Sequence, residues 1–201
     1  MFGAQGFGKT SLAREWMLNY EAEAGRRAIR GLDPNGQFLE FKGMKWDPLA
    51  DTEYPIDTAT RFLRDTRADV KRGKFSGLLV FDDADFYWGP RANATWQQFF
   101  ISFRHWRCDW FASARRPQEV PKISIASAKT LILFRVREPH GRKYLEQAAD
   151  APDLFDDVPT EPFKYLRYDM DTGEKTLGKT KKIEDSPRRR AAIRWPWSKS
   201  K

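Results

Sequence analysis

Residues Gly3-Ala4-Gln5-Gly6-Phe7-Gly8-Lys9-Thr10 follow the pattern G-x-x-x-x-G-K-T. Such a loop turns several backbone N–H groups toward one point, and its glycines let the main chain close around a bulky anion. Lys9 then reaches the β- and γ-phosphates of a nucleotide, and Thr10 offers its hydroxyl to Mg²⁺. Ser11 opens a stretch of good helix formers to Leu18, whose N-terminus adds the positive end of its dipole. Gly3 through Ser11 are therefore candidate phosphate-binding residues. The loop needs a second component, a carboxylate at the end of a buried strand. Gly77-Leu78-Leu79-Val80-Phe81 is such an apolar run, and it delivers Asp82 and Asp83 at its C-terminal edge. Asp82 is the candidate to hold Mg²⁺ with Thr10, and Asp83 to orient or deprotonate an attacking water.

Other segments must hold these two components in place. Arg27–Leu32 reads as a strand that runs into the turn cluster Asp33-Pro34-Asn35-Gly36, and Asp57–Arg72 reads as a helix with Ala59, Phe62, Leu63 and Val70 on one face. Trp96, Phe99, Phe100, Phe103 and Trp106 fall at helical spacing, which predicts a core-facing stripe and not a platform for stacking bases. Trp110–Ser113 and Thr130–Val136 are further strands, and Phe163–Asp169 with Glu174–Leu177 flank a turn as a terminal hairpin. Strands alternating with helices predict an α/β fold, a mostly parallel sheet flanked by helices. A loop of this type follows a buried strand, yet only Met1 and Phe2 precede Gly3. The first strand is thus expected to be missing from this sequence, the chain being a shortened form of a longer one, unless another segment fills the slot.

The chain has 201 residues and a formal net charge of +8, but the excess is local. Lys175 to Lys201 holds ten basic and two acidic residues, and residues 1–174 balance. A uniformly basic, histone-like body is excluded, so attraction to nucleic acid or anionic lipid must come from the tail or from a patch. Domain 1–174 is one unit, and 178–201 is a basic tail with Trp195 and Trp197, expected to be disordered when free. Its composition suits DNA phosphate with base stacking, an anionic membrane, or a docking site on another protein. One cysteine and two histidines cannot build a disulfide framework or a Cys/His zinc cluster, and no apolar run approaches the roughly 20 residues that span a bilayer.

In combination these segments resemble the FtsK/HerA superfamily of P-loop NTPases (RecA/HerA-like), and within it the small genome-packaging ATPases of membrane-containing viruses. The resemblance covers residues 3–145. It rests on Gly3–Thr10, on Leu32-Asp33-Pro34-Asn35-Gly36 as a "DPxG" strand ending, on Leu78–Asp83 as the second acidic motif, and on Phe111–Pro121 with Leu131–Pro139 as the sensor strand and its successor. It implies ATP and Mg²⁺ as ligands, ATP hydrolysis coupled to movement of double-stranded DNA, and a homo-oligomeric ring, a hexamer. It also implies a place in the host cytoplasm or on the virion, with the tail docking on a capsid vertex or membrane. The family usually has Asp-Glu where this chain has Asp82-Asp83, and often a Gln at the end of the sensor strand. Here the polar candidates at that end are Ser113, for nucleotide contact, and Arg115 and Arg116, either of which could stabilise transition-state charge within or across subunits. Lys42, Lys45, Arg91 and Arg142 are loop candidates for a pore. Two other jobs fit the same loop: an extrusion ATPase like those related to zonula occludens toxin, and a nucleotide-binding assembly protein with little turnover.

Overall fold

The computed structural model describes residues 1–24, 29–38, 40–41, 44–45 and 55–182. Strand β1 (Ile29–Leu32), the short β2 (Met44–Lys45), β3 (Gly77–Phe81) and β4 (Cys108–Ala112) form one sheet in the order β2-β1-β3-β4, and every pairing is parallel. All five residues of β3 are buried, as an apolar strand covered on both faces requires. Helix α1 (Lys9–Ala24) packs Ala13 and Met17 against Ile29, Leu78 and Val80 on one face. Helix α2 (Pro55–Lys71) and helix α3 (Ala94–Ser102) cover the other. The i, i+3, i+4, i+7 spacing of Ala59, Phe62, Leu63 and Thr66 buries one stripe of α2. Asn93 caps α3 by accepting hydrogen bonds from the N–H groups of Thr95 and Trp96, both at 3.1 Å.

The aromatic stripe does what its spacing predicts. Trp96, Phe99, Phe100 and Trp106 are buried, and Phe81 of β3 meets Trp88, Trp96 and Phe99 at ring separations of 5.3–5.8 Å. None of them is free to stack on a base. Each such ring buries about 150–250 Å² of area.

The second sheet departs from a purely parallel plan. Strand β5 (Thr130–Leu133) pairs antiparallel with β6 (Lys164–Asp169), which pairs antiparallel with β7 (Lys175–Lys179). Helix α4 (Lys122–Ala126) precedes β5, and helix α5 (Pro139–Ala149) lies between β5 and β6. The hairpin's second arm runs to Lys179, so the first basic residues counted with the tail belong to a strand, and Lys175 pairs with Asp153 at 2.7 Å and Asp157 at 3.3 Å. Residues 183–201 lie outside the described residues.

The place beside β4 expected for a strand ahead of the loop holds only Met1 and Phe2. Phe2 forms parallel bridges to Ala114 on one side and Leu133 on the other, and among the described residues it is the one β-bridge joining the two sheets. Among the described residues no further strand enters this slot. A cavity of about 600 Å³ opens beside it, lined by residues that include Met1, Phe2, Trp110, Ala112, Leu131 and Ile132.

Candidate functional site

The register of the parallel sheet assembles the site. Leu32 is level with Phe81, and Phe81 with Ala112. The next residues, Asp33, Asp82 and Ser113, therefore stand in a row at the C-terminal edge, and the ladder continues through Asp82 N–H to Leu32 C=O (3.0 Å) and Ser113 N–H to Phe81 C=O (2.9 Å). That edge is where open α/β sheets collect ligands. All three polar residues are buried.

The glycine-rich loop is anchored through Phe2, whose N–H donates to Ile132 C=O and whose C=O accepts from Phe134 N–H, both at 2.9 Å; Ala4 N–H donates to Arg135 C=O at 2.8 Å. Gly3 sits at φ +152°, and a Cβ there would meet Phe134 Cβ at 2.5 Å, so no other residue fits. Gly8, at φ +107°, lies against Phe163 and Thr180 from the two ends of the hairpin, with a Cβ 2.9 Å from the Phe163 ring. Phe163 N–H donates to Phe7 C=O at 3.0 Å, and Thr180 N–H to Phe163 C=O at 2.8 Å. Thr180 Oγ1 reaches Glu15 at 3.2 Å. The hairpin thus braces the outer side of the loop.

Within the loop the candidates divide. Phe7 is buried with Leu12, Ile132 and Phe134, so it supplies the site with backbone only. Gln5 and Gly6 are exposed at the tip. Lys9 opens α1 and is buried, and its ammonium donates to the carbonyls of Gly3 (2.7 Å) and Ala4 (3.2 Å). Burial lowers its pKa, against the opposing pull of the Asp83, Asp82 and Asp85 charges. Thr10 Oγ1 donates to Gln37 Oε1 at 2.8 Å, and Ser11, next on the helix, is half-buried.

The acidic pair behaves as two different groups. Asp82 accepts from Ser113 Oγ at 2.5 Å through Oδ1, and its buried Oδ2 has no hydrogen-bond partner among the described residues. Burial, then the neighbouring Asp83 charge, raise its pKa to about 7, against the Ser113 hydrogen bond. Asp83 stands in the left-handed region at φ 43°, ψ 50°, its N–H held by Ser113 Oγ at 3.0 Å. Its carboxylate accepts from Asn35 Nδ2 at 2.6 Å and pairs with Arg115 Nε at 3.5 Å. Burial raises its pKa too, with Arg115, Lys9 and Asn35 pulling the other way.

Of the candidates, Ser113, Arg115, Asp82, Asp83 and Lys9 lie together, and Arg116 is not placed with them. Its N–H and that of Arg115 donate to the Asp85 carboxylate at 3.3 and 3.2 Å, which fixes the turn so that only Arg115 faces Asp83. Arg142 is not in a loop but on α5, where it donates to Val136 C=O at 2.7 Å. Lys42 lies outside the described residues. Sequence reasoning gave no role to Asn35 or Gln37; the only signal for them was their place just beyond a strand end.

Mg²⁺ fits the residues present. An unpartnered, buried carboxylate oxygen on Asp82 and the Thr10 hydroxyl are hard oxygen donors of the kind this ion takes. Among the described residues no group of three His, Cys, Asp or Glu side chains forms a metal-binding cluster, so the protein would supply only part of its shell, with substrate phosphate and water supplying the rest.

The fold matches known structures across nearly its whole length. The genome packaging NTPase B204 from Sulfolobus turreted icosahedral virus 2, in complex with AMPPCP, superposes with a TM-score of 0.73 at 15% identity, covering 90% of this chain and 95% of that one. EssC (ATPases 2 and 3) from Geobacillus thermodenitrificans gives 0.64 at 14%, covering 92% of this chain and 40% of that one. The N-terminal domain of zonular occludens toxin from Neisseria meningitidis gives 0.55 at 14%, covering 90% and 92%. No protein-family model matches the chain, and no curated protein matches it in sequence. The chain thus shares the α/β fold of these NTPase structures.

Proposed function

We propose that this protein binds and hydrolyses ATP and uses the cycle to move double-stranded DNA into a viral or prophage particle. The observation that carries the reading is the convergence at one sheet edge of a glycine-rich loop, a buried Lys9 and two aspartates with different surroundings. That set supplies what phosphoryl transfer to water needs: a cradle for the phosphates, a cation for the developing charge, and a base.

In this mechanism the loop N–H groups and the α1 N-terminus hold the β- and γ-phosphates, and Lys9 leaves the Gly3 and Ala4 carbonyls to bind them. Thr10 and Asp82 would hold Mg²⁺, which supplies charge neutralisation on the phosphate oxygens. Asp83 accepts a proton from the water that adds to the γ-phosphorus as the bond to the β–γ bridging oxygen breaks. Arg115, beside Asp83 and 44% exposed in its side chain, is free to swing toward the transferred group or a neighbouring subunit. Ser113 holds the Asp82 carboxylate and the Asp83 backbone at once, fixing the spacing of the two acids.

The coupled function adds a homo-oligomeric ring, a hexamer, around the DNA, and a tail over 185–201 that docks on a capsid vertex or membrane. Support for packaging is the close overlap with a viral packaging NTPase over 90% of the chain. Measurement of ATP hydrolysis with and without double-stranded DNA tests the reading. Stimulation by DNA that fades steeply with added salt is expected, since each phosphate contact releases counterions. Nucleotide binding without turnover would instead favour an assembly protein, and turnover indifferent to DNA would favour an extrusion ATPase.

A further inference from the structure

The turn after β1 touches both halves of the site. Gln37 accepts from the Thr10 hydroxyl at 2.8 Å, on the side of the metal and phosphates. Two residues earlier, Asn35 donates to Asp83 at 2.6 Å, on the side of the water. The turn itself is rigidly held: Asp33 Oδ2 accepts from Phe38 N–H at 2.7 Å, Gly36 N–H donates to Asp33 C=O at 3.2 Å, and Arg14 donates to Gln37 C=O at 2.6 Å. Asn35 alone in this turn is exposed, with only its amide end committed.

We propose that Asn35 is a positioning residue for the base, its amide fixing the Asp83 carboxylate in the orientation from which that carboxylate takes the proton of the attacking water. The need arises from the length of the side chain. Asp83 has one methylene fewer than glutamate and stands on a backbone conformation uncommon for a non-glycine residue, so small rotations about its χ angles displace its oxygens from the water. Arg115 at 3.5 Å is too long a contact to fix the carboxylate by itself, whereas the Asn35 bond is short and comes from a rigid turn. Because the same turn carries Gln37, displacement of the Thr10 hydroxyl from Gln37 is felt two residues from the group that aims the base.

The inference rests on the hydrolytic reading above, and the experiment separates the two. Wild-type protein, Asn35→Ala and Asn35→Asp are compared for kcat and KM of ATP hydrolysis, for affinity toward a non-hydrolysable ATP analogue, and for thermal unfolding. Asn35→Ala is expected to lower kcat about tenfold, the scale of one hydrogen bond to a charged group. KM, analogue affinity and melting temperature should stay near wild type. Asn35→Asp, which sets a second carboxylate against the first, should be slower still. In an Asp83→Asn background Asn35→Ala should add nothing further, because the group it aims is gone. An unchanged or raised kcat, a loss carried by KM, or full additivity with Asp83→Asn would overturn the assignment. A wild type that binds the analogue and does not hydrolyse ATP would overturn the hydrolytic reading itself, and the inference with it.

Discussion

The two sheets use the same residue types to opposite ends. At the edge of the parallel sheet, Asp33, Asp82 and Asp83 are buried close together, and burial drives all three carboxyl groups to raised pKa values. On the antiparallel side, Asp153 and Glu161 are exposed and hydrogen-bonded to Lys175 and Lys164, and both are held below the ordinary carboxylate range. The strands differ likewise: every residue of β3 is buried, and β7 has none that is. Carboxylates kept from water and only partly compensated by Lys9 and Arg115 cost stability, and such unfavourable burial is concentrated at functional sites. The paired acids of the other sheet are ordinary surface.

The contrast can be broken most decisively at Lys9. Lys9→Ala should reduce ATP hydrolysis by about 10²-fold or more, the scale of losing one preorganised charge contact in a transition state, whereas Lys175→Ala, in the other sheet, should leave steady-state turnover close to wild type. A comparable loss in both would mean that the acidic edge is not the reactive centre. Next in size is packing. Leu79, fully buried in β3, should cost about 2–5 kcal/mol on truncation to alanine. Leu177 of β7 is 66% exposed, and the same truncation should stay within about 0.5 kcal/mol. Urea denaturation of the two variants measures both.

A subtler test is the sign of the pH dependence. Between its ordinary value of 3.8 and about 7, Asp82 keeps its proton when folded and loses it when unfolded, so its contribution to stability falls as pH rises through that window. Asp82→Asn should therefore melt higher than wild type at pH 8, with the gap closing at pH 4. Asp153 has the reverse sign. Its pKa is lowered in the folded protein, so its support is present above the ordinary value and lost as pH falls through the folded one. Asp153→Asn should melt slightly lower than wild type at pH 7, and in 0.5 M NaCl that smallest difference should shrink as the exposed pair is screened. Matching signs for the two variants would remove the distinction between the regions.

The parallel half of this contrast was the more legible in sequence. Gly3–Thr10 and Leu78–Asp83 are contiguous and announce themselves by residue type, and the stripe from Trp96 to Trp106 declares its helix by period. What escaped depends on register between distant strands. Nothing local says that Asp33, Asp82 and Ser113 stand in one row, that Ser113 holds Asp82, or that Asn35 reaches Asp83 across 48 positions of chain. That Arg115 and not Arg116 lies beside Asp83 was equally closed to sequence, because it follows from a turn in which the Asp85 carboxylate grips both backbone N–H groups. Phe7 fell among the candidate nucleotide contacts because the motif counts positions, while the fold turns its ring into the core. Strand β5 was read correctly as a strand, but an apolar run does not say whether its partner lies ahead of it or behind.

The brace between the hairpin and the phosphate loop has a mechanical side. Thr180 ends the second arm against Gly8, and its main chain is linked through Phe163 to Phe7. A load applied to the chain beyond residue 182 therefore enters the body at Thr180, where the end of β7 and the glycine-rich loop meet, so both feel it together.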